Sequence, residues 1–294
     1  MAAAGPNWER AGADWPNRST SRFVNAGGLR WHVQVSGAGP VVLLIHGTGA
    51  ATHSWRGVLP LLAEHFTVVA PDLPGHGFSD IPPASLLSLP GMAKATAQLL
   101  EALGLPPALC VGHSAGAAIA ARMCLDARMA PAGLVSLNGA LLPLRGFAGR
   151  FFSPAAKVLA NLPLIPDLVA WRAKDRAAIE RLMADTGSRL DPNGIEFYRR
   201  LMASPRHVEA TLGMMAHWDL DAFVRDLPKL GVPLALIVGA NDRTVPPRDA
   251  QRVRLLLPAA VVETQSGLGH LAHEEDPAAT TSAIRRYAAS WGIA

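Results

Sequence analysis

The 294-residue chain is poor in several things, and each scarcity removes a class of function. Two cysteines, Cys110 and Cys124, cannot make a disulfide framework. The first falls in an expected core strand and the second on the helix after it, so plain packing in a reducing compartment is the expected role. No apolar run is long enough to span a bilayer, and the first twenty residues hold none of signal-peptide length. A soluble cytoplasmic protein is therefore expected. The ten histidines include no H-x-x-x-H pairing on a helix, and neither a phosphate-binding P-loop nor a dinucleotide fingerprint is present. No metal and no cofactor are expected. Only 17% of residues are charged, which leaves half the chain apolar for a large core. The net charge of +4 does not indicate a nucleic-acid partner, because basic residues are interleaved with acids, as in Arg172, Lys174, Asp175, Arg176, Glu180 and Arg181.

What is present alternates strand and helix. Residues 1–20, rich in Ala, Gly, Asn and Pro, read as a flexible leader unless Trp8 and Trp15 dock. Arg22 to Val24 and Leu29 to Val35 flank Asn25-Ala26-Gly27-Gly28, a hairpin signal. Val41 to Ile45 is apolar without alternation, as in a parallel strand covered on both faces. A helix is expected from about His53 to Glu64, a strand over Phe66 to Ala70, and a helix from Leu89 to Leu103 with its apolar residues on one face. Further strands are expected at Ala108 to Val111, Gly133 to Leu137, Leu234 to Val238 and Val261 to Thr264, and a terminal helix carries Ile284, Tyr287, Ala288 and Trp291. The alternation stops over 140–227, which is helical in pattern and broken by prolines. This stretch reads as a helical cap inserted into a core formed by 21–139 and 228–294.

Chemistry is concentrated at strand ends. Val111 to Gly116 contains G-x-S-x-G between a strand and an alanine-rich helix, the pattern of a nucleophile elbow with Ser114 at its tip. Alone, the motif reads equally well as a tight turn with a capping serine. The loop His46-Gly47-Thr48-Gly49 can aim backbone N–H groups into a cleft, making Thr48 and Ala115 the candidate oxyanion donors. Asp242 follows a later strand and His270 the last one. The order Ser…Asp…His is that of α/β-hydrolases and differs from the other common triad orders. In that arrangement His270 takes the Ser114 proton while Asp242 fixes the imidazole tautomer. Asp72 and His76 lie in a turn crowded with Pro and Gly and read as loop-stabilising, His46 as structural, and His273 as part of the start of the last helix. His113 faces away from Ser114 if the elbow is tight.

The segments 21–33 (SRFVNAGGLRWHV), 46–55 (HGTGAATHSW), 68–80 (VVAPDLPGHGFSD), 111–126 (VGHSAGAAIAARMCLD), 136–146 (SLNGALLPLRG) and 267–277 (GLGHLAHEEDP) carry a family resemblance. The chain resembles α/β-hydrolase-fold proteins, and more closely the magnesium-chelatase accessory proteins of bacteriochlorophyll biosynthesis. The resemblance implies an α/β-hydrolase fold with a mostly parallel sheet, a capped site, and a part in magnesium insertion, with magnesium chelatase as a possible partner. It also implies a small-molecule substrate such as a porphyrin or its ester. His46, His113, Phe151, Trp171, Met214 and Trp218 are candidate pocket residues, and Phe197, Tyr198, Met202 and Met215 could join them, with Arg145, Arg150 or Lys157 at the mouth to meet carboxylates. The aromatic and aliphatic ones would equally serve as the cap's own core. Three readings stay open: a serine hydrolase, a non-catalytic tetrapyrrole carrier or chelatase partner, and a protein whose cap residues 147–171 touch a membrane surface.

Overall fold

The computed structural model describes residues 8–143, 162 and 164–293. Its strands are β1 (Ser21–Ala26), β2 (Leu29–Ser36), β3 (Val41–Ile45), β4 (Thr67–Pro71), β5 (Leu109–His113), β6 (Gly133–Leu137), β7 (Leu234–Gly239) and β8 (Val261–Gln265). They form one eight-stranded sheet in the order β1-β2-β4-β3-β5-β6-β7-β8. β2 pairs antiparallel with β1 and β4, and every other pairing is parallel. The β1–β2 turn is made by Gly27 and Gly28, both at positive φ, as a two-residue hairpin linking the paired residues Ala26 and Leu29 requires.

Consecutive apolar residues in the central strands serve opposite faces. Leu43, Ile45 and Cys110 pack with α3 (Leu89–Leu103) and α4 (Ala115–Leu125), while Val42, Leu44 and Val111 pack with α2 (Val58–Leu62) and the last helix, Pro277–Ser290. Covering both faces is what makes an unbroken apolar run such as VVLLI stable in a parallel sheet. α3 starts at Ser88, whose hydroxyl accepts from Gly91 N–H, and ends at Gly104 in the left-handed conformation. The helix expected over 53–64 is instead a 3₁₀ turn, Thr52–Trp55, followed by the short α2. Gly57 separates them, and it lies so close to Pro277 that a Cβ there would sit 2.5 Å from Cγ of that proline.

Between β6 and β7 the described chain is helical: α5 (Ile165–Arg172), α6 (Arg176–Asp185), α7 (Pro192–Met202), α8 (Pro205–His217) and α9 (Asp221–Asp226). Ile179, Met183, Ile195 and Tyr198 of this insert form a small core with Ala50 and Leu271 of the sheet domain. Phe151, Arg145, Arg150 and Lys157 lie outside the described residues. No described helix is long and apolar enough to cross a membrane.

For the described part of the leader, the alternative in which the tryptophans dock is the one observed. Residues 8–20 are docked, because their two tryptophans find partners that the local sequence does not reveal. Trp15 is 3% exposed, donates its indole N–H to Thr52 Oγ1 (2.9 Å), and stacks edge-on against Phe78 and Phe197. Trp8, in α1 (Trp8–Ala11), packs on Phe23, His32 and Phe78. Asp14 receives both guanidinium nitrogens of Arg200, so the segment ties the sheet edge to α7 of the insert. Replacing Trp15 with Ala is expected to lower the unfolding free energy by ~3 kcal/mol or more, the usual loss for a buried aromatic. Urea denaturation reads this directly, and a change below ~1 kcal/mol would mean the segment only rests on the surface.

Candidate active site

β3 leads to β4 on one side and β5 on the other, so its carboxyl end marks the point where strand order reverses and a crevice opens. The loop after β3 and the turn after β5 flank that crevice. At the turn, Ser114 has φ 51 and ψ −119, a conformation that costs a non-glycine residue roughly 1–3 kcal/mol. Neighbours enforce it. Ser114 N–H donates to Leu137 O (3.0 Å), and its carbonyl accepts from Ala117 and Ala140. A Cβ on Gly112 would lie 2.4 Å from Ala117 N, and one on Gly116 would lie 2.2 Å from Ile45 O. Both glycines of the motif are therefore required by backbone contact, and the bare capping-turn alternative does not explain them.

Gly47 runs alongside the serine: a Cβ there would be 3.0 Å from Ser114 Cβ. Among the described residues, the amide N–H groups of Thr48 and Ala115 find no protein acceptor. They are thus available to a ligand beside the hydroxyl. The Thr48 side chain is turned away, with Oγ1 3.6 Å from Met214 Sδ.

Asp242 and His270 come together from the loops after β7 and β8, His270 Nδ1 donating to Asp242 Oδ2 at 2.8 Å. Asp242 is 6% exposed and has further donors: Asn138 Nδ2 on the same oxygen (2.7 Å), and the Thr244 and Val245 amides on Oδ1 (2.8 Å each). A buried carboxylate so provided remains an acceptor, and Nδ1 of His270 must carry the proton. Nε2 is left unprotonated in the neutral ring, the state a general base needs.

Ser114, His270, Thr48, Ala115, His113 and Trp218 all line one cavity of about 440 Å³. Its remaining walls come mostly from the insert, including Leu182, Met183, Tyr198, Met202 and Met215, with Arg243 and the carboxylates of Asp185, Asp219 and Asp221 as charged groups. Three expected pocket residues lie elsewhere. His46 is fully buried, donating from Nδ1 to Gly47 O and accepting at Nε2 from Leu73 N–H, so both nitrogens are consumed in holding loops. Met214 packs under Thr48, and its neighbour Met215 reaches the cavity. Trp171 is 65% exposed on α5 and takes no part in the lining. His113, though adjacent to the serine, donates Nε2–H to His270 O and props the loop that carries His270.

Sequence reading missed Asn138, for which the Asn-Gly pair after β6 was the available signal. Tyr198, Met202 and Met215, candidates on helical phase alone, all line the cavity. Asp72 serves as its turn-rich context suggests, accepting from His32 Nδ1, Thr52 N–H and Phe78 N–H. Burial alone would raise its pKa, but His32 and these donors hold the carboxyl well below the usual range. His273 sits not on the last helix but on a short turn before it, with Nε2 on Ser54 Oγ (2.8 Å). Among the described residues no group of three or more His, Cys, Asp or Glu is arranged to hold a metal ion.

Residues 40–277 match the model of the alpha/beta hydrolase fold family. The chain belongs to that family. It is 39% identical over 264 residues to the magnesium-chelatase 30 kDa subunit of Rhodobacter capsulatus, covering 89% of this chain and 92% of that one. Among solved structures it superposes on an esterase from Thermogutta terrifontis with TM-score 0.72 and 26% identity, over 92% of this chain and 98% of the esterase. An alpha/beta hydrolase fold protein from Burkholderia ambifaria gives TM-score 0.76 at 23% identity, over 90% and 97% of the two chains.

The site region is dense in neutral imidazoles. Burial lowers the pKa of His46, His53, His76, His113, His207 and His273, to about 4 for His207 and about 3 for His273, against the ordinary 6.5. Because the folded values are depressed, the unfolded chain binds these protons first as pH falls. Stability is then full above about pH 6.5 and declines below it, each histidine contributing ~1.4 kcal/mol per pH unit until its folded value is reached. Denaturation at a series of pH values between 6.5 and 4 should show uptake of several protons on unfolding, and His207→Gln should reduce it by about one. A pH-independent unfolding free energy over that window would contradict the assignment.

Proposed function

We propose that the chain is a serine hydrolase of the carboxylic-ester type acting on a bulky, mainly apolar substrate. The observation carrying this is His270, hydrogen-bonded to Asp242, on the wall of the cavity that Ser114 lines, with two free amides beside the serine. In the proposed reaction His270 Nε2 takes the Ser114 proton as Oγ attacks the substrate carbonyl. The Thr48 and Ala115 N–H groups receive the oxyanion, each such donor being worth ~3 kcal/mol in the transition state. His270 then returns the proton to the leaving alcohol, and water repeats the sequence on the acyl-serine. Hydrolysis of a C–C bond in a ketone uses the same groups and is the lesser alternative. The insert acts as a cap in this reading, since its apolar side chains exclude water from the acyl carbonyl.

The R. capsulatus relative, named as a magnesium-chelatase subunit, supports a role alongside magnesium chelatase; a place in bacteriochlorophyll biosynthesis and a porphyrin ester as substrate are what the family resemblance adds to this proposal. The same relative favours a second reading, in which the chain carries a tetrapyrrole or docks on magnesium chelatase without cleaving anything.

A fluorophosphonate probe is expected to phosphonylate Ser114 with loss of fluoride, with Ser114→Ala abolishing labelling and His270→Ala slowing it at least ~1000-fold. Folded wild-type protein that does not label would sink the hydrolase reading. Complementation of a bacteriochlorophyll-producing host by Ser114→Ala separates the two: rescue supports the carrier, and failure with accumulated pigment intermediates supports the enzyme.

A further inference from the structure

The turn between α6 and α7, Thr186 to Arg189, belongs to the insert but lies against the two loops that carry Asp242 and His270. The Thr186 carbonyl accepts from Arg243 N–H (3.1 Å), next to the acid, and more weakly from His270 N–H itself (3.4 Å). Ser188 Oγ accepts from Leu271 N–H at 2.8 Å, and Ser188 is 3% exposed. Glu275 completes the join, with one carboxylate oxygen accepting from Arg189 N–H (2.9 Å) and the other from Gly269 N–H (2.8 Å). The backbone amides on both sides of His270, and the one that follows Asp242, are thus satisfied by the insert or by a carboxylate that also binds it.

The fit leaves no room for a side chain. Gly187 has φ +86, and a Cβ there would lie 2.0 Å from Asn241 O and 3.3 Å from Arg243 Cγ. A Cβ on Gly269 would in turn lie 2.4 Å from the Gly187 carbonyl carbon. Backbone meets backbone across this contact, where small displacements cannot be absorbed by rotamer changes.

We propose that this turn is a positioning element for the Asp242–His270 pair, with Gly187 and Ser188 as its positioning residues. The insert then has two duties: its helices wall the cavity, and this turn sets the register of acid and base. Rigid contact here also means that any opening of the insert swings about this side, since lifting the turn would strip acceptors from buried amides. The proposal rests on the triad reading for its consequence in catalysis, but the alignment itself can be measured without turnover.

The test compares full-length wild type, Ser188→Ala and Gly187→Ala, each first shown folded by thermal unfolding. Proton NMR reads the downfield Nδ1–H resonance of the His270–Asp242 hydrogen bond, assigned by its loss in His270→Ala. Fluorophosphonate labelling reads the rate at Ser114. Ser188→Ala is expected to shift or broaden the resonance and to slow labelling ~10- to 100-fold, the range associated with sub-ångström to 1 Å misplacement. Gly187→Ala should do more. Should it fail to fold, Ser188→Ala decides alone. A folded Ser188→Ala with the wild-type resonance overturns the proposal. If wild type does not label but the resonance moves in Ser188→Ala, the hydrolase reading falls and the positioning role of the turn stands.

Discussion

Burial of the Asp242 carboxylate is the constraint on which the site's architecture depends. An ionised carboxylate withdrawn from water costs several kcal/mol unless donors replace the water. Here the donors arrive from separate strand ends: Asn138 after β6, the Thr244 and Val245 amides in its own turn, and His270 after β8. Satisfying one charge therefore fixes the mutual position of three consecutive parallel strands at their carboxyl edge. Asn138 must adopt a left-handed backbone (φ 47) to reach, and its amide N–H is anchored to Ile237 O on the neighbouring strand. The geometry at the acid is set by the sheet, and the imidazole inherits it.

The serine side is fixed by a different force. Ser114 is held in an unfavourable conformation because α4 and β3 crowd the turn from both sides, and only glycine at 112 and 116 permits that approach. α4 is rich in alanine, with five among its eleven residues, and is buried along most of its length, which lets it lie close against the sheet and α3. Steric packing thus locates Ser114, whereas hydrogen bonding to a buried charge locates the Asp–His pair. The two systems meet at His113, which follows the elbow strand and donates to the carbonyl of His270.

These two forces differ in how legible they are from residues alone. Packing leaves local traces: β3, α3, α4 and β6 read from the sequence with their observed limits, because unbroken apolar runs and helical periodicity record what covers them. The elbow was legible for the same reason, through its glycines. Polar partnership leaves few. Asn138 and Asp242 are 104 positions apart, and Trp15 and Thr52 are 37 apart, so neither residue's neighbours signal the contact. That is why the leader read as flexible and why Asn138 was passed over. Pocket lining is decided by a finer margin: Met214 and Met215, both candidates, differ by one step of about 100° around a helix, and which faces the cavity depends on how α8 docks on the loop after β3.

The choice between enzyme and carrier can be weighed by what each requires of these forces. A protein that only held a tetrapyrrole would need the apolar cavity and nothing else from the crevice. It would gain stability by relaxing Ser114 out of its strained conformation, by closing the Thr48 and Ala115 amides onto acceptors, and by replacing the buried Asp242 with an apolar residue. This chain keeps all three burdens, with Ser114, Thr48 and Ala115 on the cavity wall and Asp242 directly behind His270, which also lines it. Departures from local stability that converge on a point are the mark of a site under a chemical requirement. A role on magnesium chelatase would be compatible with hydrolysis, because docking uses the outer surface while the strain is internal. The physical balance inside the crevice is therefore the support for the proposed bond cleavage, and it is unaffected by a role alongside magnesium chelatase.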